Sequence, residues 1–336
     1  MIRIKSLFVS RHSGLLCALT LLLVGFGCAS AQFRDPVNLL DRSRLWIEVG
    51  LVAVPMTFII AAGGIDLSVG SLLALSAMVA GLCHRDLHWP LSLAMGMAVL
   101  TGTVGGAVNG FAASVLRVPP LVATLATLAI FRGLAMGMSH GQPIGNLPAG
   151  FEEWGGFATV GKGTFAPPQQ LVLLLLFVAL GELILRKTRA GRWTVQLGEN
   201  EVAARYAAIP VNHVRFGLFL ASGVVCGFGA ITYMAHYASA RPNANIGLEL
   251  EAIACVIVGG TRITGGSGSV IGTFLALLFL GLLRFGLDMT GVLQQTQTIL
   301  VGLLVVVTAI FNQWLANRHD RRSSMAFNVT QTEQVI

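Results

Sequence analysis

The sequence predicts an all-α, polytopic integral membrane protein with about ten transmembrane helices and both termini on the cytoplasmic side. Three observations carry that reading. Charged residues make up 11% of the chain and hydrophobic residues 54%, against roughly 25% charged in soluble domains. Apolar runs of bilayer length recur from one end to the other. Glycine, which lets helix backbones approach closely in lipid, occurs 40 times.

The elements follow in order. Arg3, Lys5 and Arg11 precede the first apolar run, residues 14–31, which leaves 1–13 as a cytoplasmic N-terminus. CASAQ (28–32) has the small residues of a cleavage site, but the many runs beyond it favour a first membrane helix over a removed leader. Further spans are expected at 45–63, 67–83, 91–115, 119–138, 169–186, 214–236, 248–260, 267–287 and 296–316, so the membrane domain covers 14–316. The run 248–260 is short for a full crossing and reads as a broken or tilted segment. Residues 139–168 form an outer loop, 187–213 an inner one, and 317–336 a polar, disordered tail.

Basic residues test that topology. With the N-terminus inside, the inner side receives Arg3, Lys5, Arg11, Arg117, Arg186, Lys187, Arg189, Arg192, Arg205, Arg215, Arg262, Arg318, Arg321 and Arg322. The outer side receives only Arg34, Arg42, Arg44, Arg85, Lys162 and Arg241. This asymmetry obeys the positive-inside rule and explains the net charge of +7 without nucleic acid.

Two glycine-rich breaks interrupt the apolar runs: GGIDLSVGS (63–71) and GGTRITGGSGS (259–269). Glycine permits backbone geometry that other residues resist, and Asp66 or Ser68 can cap the helix that follows. Unwound backbone at membrane depth is tolerated where it is buried in protein or lines a wet cavity. Both breaks face the same side, so a plain helix break and a solute pathway are the competing readings. The polar residues Ser71, Asn109, Thr124 and Thr127 lie in neighbouring spans. Threonine often bonds its own helix, whereas Arg132 either faces the bundle interior or snorkels to an interface.

The inner loop carries LGENEVAARYAAIPVNH (197–213). Asn200 is a good N-cap, EVAARYAA favours helix, and Pro210 marks a stop. Ala203, Ala204, Ala207 and Ala208 give a smooth surface, with Glu199, Glu201 and Arg205 adding charge. Too few large apolar side chains are present for a lipid-embedded helix, which points to docking in a groove on a soluble partner.

The chain contains no GxxxxGK[ST] phosphate loop, no HExxH and no GxSxG. The histidines at 84, 88, 140, 213, 236 and 319 lack ligand spacing, so no metal site is expected. The five cysteines form no CxxC and read as small buried thiols. Asn328-Val-Thr, a formal glycosylation sequon, falls on the inner tail.

These residues resemble the inner-membrane permeases of bacterial sugar ABC importers, the ribose, xylose, rhamnose and autoinducer-2 group. GGIDLSVGS, VNGFAASVLRVPPLVATLATLAIFRGLA (108–135), TRAGRWTVQLGENEVAARYAAIPV (188–211) and LEAIACVIVGGTRITGGSGSVIGT (250–273) occur in family order. The resemblance covers about residues 40 to 315. It implies a permease subunit, not itself an enzyme, that forms the path for a sugar or sugar-like solute. It implies a second permease, identical or sister, a cytoplasmic ATP-binding subunit that holds the ATP, and a periplasmic sugar-binding protein. The chain itself needs no cofactor. On this resemblance Glu199, Asn200, Ala203, Ala204, Arg205 and Ala208 belong to the segment that couples to the ATPase. Asp66, Ser68, Ser71, Asn109, Thr124, Thr127 and Arg132 are placed on the translocation path. Many relatives have Gly-Ile where this chain has Ala208-Ile209, so the β-carbon there bears on the turn. The competing reading is an ion-coupled secondary transporter, disfavoured because Glu48, Glu182, Glu249, Glu251 and Asp288 fall near span ends rather than deep within them.

Overall fold

The computed structural model describes residues 2–145, 147, 151, 168–308 and 310, with side chains from Ser13 onward. Among these residues the fold is helical, with one isolated antiparallel bridge between Ile144 and Ala240. The helices are α1 (Ile2–Ala29), α2 (Ala31–Arg34), α3 (Pro36–Ser43), a 3₁₀ turn (Arg44–Trp46), α4 (Ile47–Ala61), α5 (Val69–Arg85), α6 (Leu91–Ser114) and α7 (Pro120–Met138). They continue with α8 (Gln169–Lys187), α9 (Arg189–Glu199), α10 (Glu201–Tyr206), α11 (Val211–Tyr237), α12 (Leu248–Val258), α13 (Val270–Met289) and α14 (Gln294–Thr308).

Among the described residues every expected span coincides with a helix, but not all are long. Pro36–Ala61, Leu91–Ser114, Pro120–Met138, Gln169–Lys187, Val211–Tyr237 and Val270–Met289 have the length and composition to cross a membrane. Ser13–Ala29, Val69–Arg85 and Gln294–Thr308 are shorter apolar helices. α12 has 11 residues, as its short apolar run implied. α1 begins at Ile2, within the expected cytoplasmic segment 1–13. α9 and α10 fill most of the inner segment 187–213, so α9 joins the one helix expected there. Most of 139–168, with Trp154 and Lys162, and the tail 317–336, with Asn328, lie outside the described residues.

α4 forms the centre. Ile47, Leu51, Met56, Ile59 and Ile60 are fully buried, and α8, α9, α11, α12 and α13 pack around it. α6 and α11 pack most intimately. Gly106 of α6 presses its Cα into the backbone of Gly223 on α11, and a Cβ on Gly227 would sit 2.5 Å from the Val99 Cα. Such small-residue contacts let helices associate where lipid removes the hydrophobic driving force between them. The outward faces of α6, α7, α8 and α14 expose Leu100, Val104, Leu125, Leu176 and Ile299. That is an inside-out arrangement suited to a hydrocarbon surround.

α1 leans on α13 along one side through Leu22, Phe26 and Leu282. Phe33 stacks on Phe285 at 5.4 Å beside it. Cys83, Cys226 and Cys255 are buried as expected, whereas Cys17 and Cys28 are exposed because this one-sided packing leaves most of α1 uncovered.

Candidate functional site

The break after α4 is organised by a buried carboxylate. Asp66 is 1% exposed. Its Oδ1 accepts the Ser68 N–H at 3.0 Å and the Ser68 hydroxyl at 2.7 Å, and its Oδ2 accepts the Ser222 hydroxyl of α11 at 3.1 Å. Asn109 of α6 donates to Ser68 Oγ at 2.7 Å, and Thr127 of α7 donates to Asn109 Oδ1 at 2.7 Å. Thr124 donates to the Ile65 carbonyl at 3.1 Å and Ser71 to the Ser68 carbonyl at 2.8 Å. A continuous polar chain therefore joins the break to α6, α7 and α11.

The capping expectation is corrected here. Ser68 precedes α5 but makes no side-chain cap bond, and Asp66 binds the Ser68 N–H instead of a helix N–H. Six of the seven residues placed on a path from sequence thus meet in one cluster, all of them buried. Arg132 lies elsewhere. Its Nη1 donates to the carbonyls of Pro242 at 2.8 Å and Ala244 at 2.7 Å, tying α7 to the segment before α12. Ser222 carried no sequence signal beyond a lone serine in an apolar run.

The second break meets the first. Gly266 donates its N–H to the Ala61 carbonyl at 3.0 Å, at the end of α4. Gly265 and Gly266 adopt φ of 86° and 81°, conformations that glycine alone adopts without strain. Gly198, at the end of α9, wedges between them. A Cβ on Gly198 would overlap the Ala61 carbonyl oxygen and sit 2.7 Å from the Gly266 nitrogen. The two breaks and the inner segment thus converge at a junction of bare backbone. Beyond it, Ser269 caps α13 by accepting from the Gly272 N–H at 3.0 Å. Glu182 of α8 accepts the Ile271 N–H at 3.1 Å and pairs with Arg186, placing a carboxylate at a helix N-terminus where the dipole favours it.

Asn200 caps α10 as its type predicts, accepting from the Ala203 N–H at 3.0 Å. The helix is shorter than 200–208 and its surface differs from the expected one. Ala204 is 3% exposed and packs with Leu197, Ile209 and Val211, so it faces its own chain rather than a partner. Arg205 is exposed but already paired with Glu201 at 2.7 Å, while Arg215 of α11 reaches the other Glu201 oxygen at 2.7 Å. Burial pushes the Glu201 carboxyl up, but the bonds and charges of the two arginines outweigh it and hold it below the usual range. A depressed folded pKa stabilises above the unfolded value, so this clasp persists at neutral pH and is lost only in acid. Glu199, Ala203 and Ala208 are exposed. The prominent groups are Val202 and Tyr206, 62% and 89% exposed, one turn apart on the same face. These two were overlooked because a single valine and tyrosine do not make an apolar stripe.

Ala208 has φ of 57°, with Ile209 N–H bonded to the Ala204 carbonyl at 3.1 Å. This is the left-handed C-terminal turn that glycine favours. Ala208→Gly is expected to stabilise the turn by about 1 kcal/mol, read as slower amide exchange over residues 204–209 with unchanged α4 protection. Faster exchange would show that the alanine is not strained.

Residues 39–309 match the family described as branched-chain amino acid transport system / permease component. The chain is 32% identical over 323 residues to the autoinducer 2 import system permease protein LsrD of Yersinia pseudotuberculosis serotype IB (strain PB1/+), covering 91% of this chain and 95% of that one. It is 33% identical over 322 residues, with the same coverage, to the protein of the same name from Yersinia pestis (strain Pestoides F). No solved structure matches.

Proposed function

This chain belongs to the family of branched-chain amino acid transport system permease components, and from that premise we propose that it is the permease subunit of an ABC importer for a sugar or sugar-like solute. Two relatives named as autoinducer 2 import permeases, alike over nine-tenths of the chain, support that solute class. In this reading it is a multi-pass protein of the bacterial inner membrane, N-in and C-in, with ten spans. A cytoplasmic ATP-binding subunit docks on α10, a second permease completes the path, and a periplasmic binding protein delivers the solute.

The observation that carries the proposal is the junction at Gly198. A docked α10 is one residue from α9, and the end of α9 is wedged against both membrane breaks. Movement of the ATPase would pass to Ala61 and Gly266 through backbone contact, with no soft side chain between. The polar cluster around Asp66 would then act as a latch between α5, α6, α7 and α11 that opens with the cycle.

Tyr206→Ala tests the docking. The side chain is almost wholly exposed, so insertion and abundance should stay at wild-type level. An aromatic anchor at an interface contributes roughly 2 kcal/mol or more, so co-purification of the ATPase and ATP-driven uptake should fall together. Normal uptake with the ATPase retained would overturn the assignment of α10. An ion-coupled transporter would rest on Glu48, whose buried Oε1 has no hydrogen bond and faces His236 Nδ1 at 3.7 Å. Uptake that survives loss of the ATPase and collapses with a protonophore would favour that reading instead.

A further inference from the structure

A groove runs along the outside of the bundle between α8 and α11, and among the described residues no helix fills it. It widens into two cavities. The one at the α9 end holds about 510 Å³ and is floored by Pro55 and Phe58 of α4; the other holds about 430 Å³. Phe177 of α8 and Phe228 of α11 meet edge to face between them, with ring centroids 5.7 Å apart. We propose that the cavity at the α9 end seats one acyl chain of an anionic phospholipid, whose phosphate rests on Lys187 and Arg189. The inference uses only the membrane placement of the helices and is independent of the importer reading.

Small residues make the space. Gly181, Ala190, Gly217 and Ala221 line the cavity. In a membrane bundle such residues ordinarily let a neighbouring backbone approach, as they do between α6 and α11. Here a Cβ on Gly217 would meet nothing within 4 Å, while Leu180 and Ile184 stand exposed at the rim. On α11 the lining runs from His213 to Val225, roughly 18 Å along the axis. That is about one leaflet of a hydrocarbon core ~30 Å thick. The volume spread over that length gives a section of roughly 28 Å², about a third of that of a helix ~10 Å across. An extended hydrocarbon chain fits where a helix does not.

Charge defines the other end of the ligand. Lys187 stands one turn past Ile184 on α8, and Arg189 one turn before Trp193 on α9, so both continue faces that line the cavity. Both are exposed, and among the described residues neither has a hydrogen bond or an ion pair. The carboxylate of α8 is turned away, since Glu182 accepts the Ile271 N–H at 3.1 Å and pairs with Arg186. Trp193 walls the cavity beside the two cations, at the boundary where amphipathic rings settle. The second cavity has only uncharged polar groups at its end, Gln169, Gln170 and Thr232. Two unopposed cations favour a headgroup of net negative charge over a zwitterionic one, and only the α9 end supplies them.

Brominated acyl chains quench tryptophan on contact, which makes Trp193 the reporter. The full chain is placed in phosphatidylcholine vesicles in which the same small fraction of either phosphatidylglycerol or phosphatidylcholine carries brominated chains. Brominated phosphatidylglycerol should quench more strongly, and the excess should vanish in Trp193→Phe. Lys187→Gln and Arg189→Gln should each lower the preference about fivefold, the value of one basic residue at an anionic surface. Gly217→Leu fills the groove from a position with open space around it and leaves both cations in place; it should abolish the excess. Equal quenching by the two lipids would overturn the site. So would an excess that survives Trp193→Phe, the double glutamine variant or Gly217→Leu, the last showing a headgroup held on a basic surface with no chain in the groove. Absence of quenching of Trp193 by either lipid would also overturn it and would show that protein covers the groove.

Discussion

Gly198→Ala abolishes ATP-driven uptake while leaving the membrane helices inserted: that is the result expected from the junction, and it is the largest effect the structure predicts. The added methyl would overlap the Ala61 carbonyl oxygen and lie 2.9 Å from the Ala61 carbonyl carbon. Neither atom can move without shifting the end of α4, the most buried helix in the fold. The alternative is to push α9 outward, out of its seat against the Ala61 carbonyl and the Gly266 nitrogen. Overpacking costs roughly 1–3 kcal/mol. α9 lies outside the expected spans, so insertion should survive and the loss should appear as uncoupling, with uptake at least tenfold down. Gly217→Ala is the control, since a Cβ there meets nothing within 4 Å. Normal uptake in Gly198→Ala would show that the inner segment and the breaks move independently.

The second expectation concerns Asp66. Asp66→Leu removes the acceptor for three donors, namely the Ser68 N–H, the Ser68 hydroxyl and the Ser222 hydroxyl. Each buried donor stranded this way costs about 1–3 kcal/mol, a large fraction of the 5–15 kcal/mol by which a typical domain is stable. Folded protein and uptake should therefore both fall steeply. Asp66→Asn separates charge from hydrogen bonding. Its carbonyl can serve Ser68, and its amide can donate to Ser222 Oγ, because a hydroxyl both gives and accepts. Asn should retain most of the folded yield, whereas Asp66→Ser should not, since a hydroxyl is too short to reach both Ser68 and α11. Detergent-extracted monodisperse protein and uptake per molecule measure the two effects. If Asp66→Ser matches wild type, Asp66 merely shapes a turn and the latch between helices is absent.

Much of this was legible in the residues, though unevenly. Helix positions followed from apolar runs and breakers: Asn200 caps α10, and the short run before GGTRITGGSGS becomes the 11-residue α12. Asp66, Ser68, Asn109 and Thr127 could be singled out because polar groups in apolar helices require partners. Their pairing could not be foreseen. Asp66 and Ser222 stand 156 residues apart, and no local pattern marks that serine. α10 shows the same limit at short range. Composition predicted a helix, yet only packing against Leu197 and Ile209 turned Ala204 inward and left Val202 and Tyr206 outside.

The sequence by itself determined the class of the protein, the places of its helices and the two breaks, because helix periodicity, capping and glycine freedom act within a few residues. It also determined the family, through motifs spread along the chain. Only the tertiary structure decided that the two breaks and Gly198 share one junction, that Arg132 serves a loop rather than the polar cluster, and that α8 and α11 leave a groove between them. The reason is physical: hydrophobic patterning states that a face must be buried, but which face covers it depends on distant backbones fitting together, and at this junction on the absence of a β-carbon.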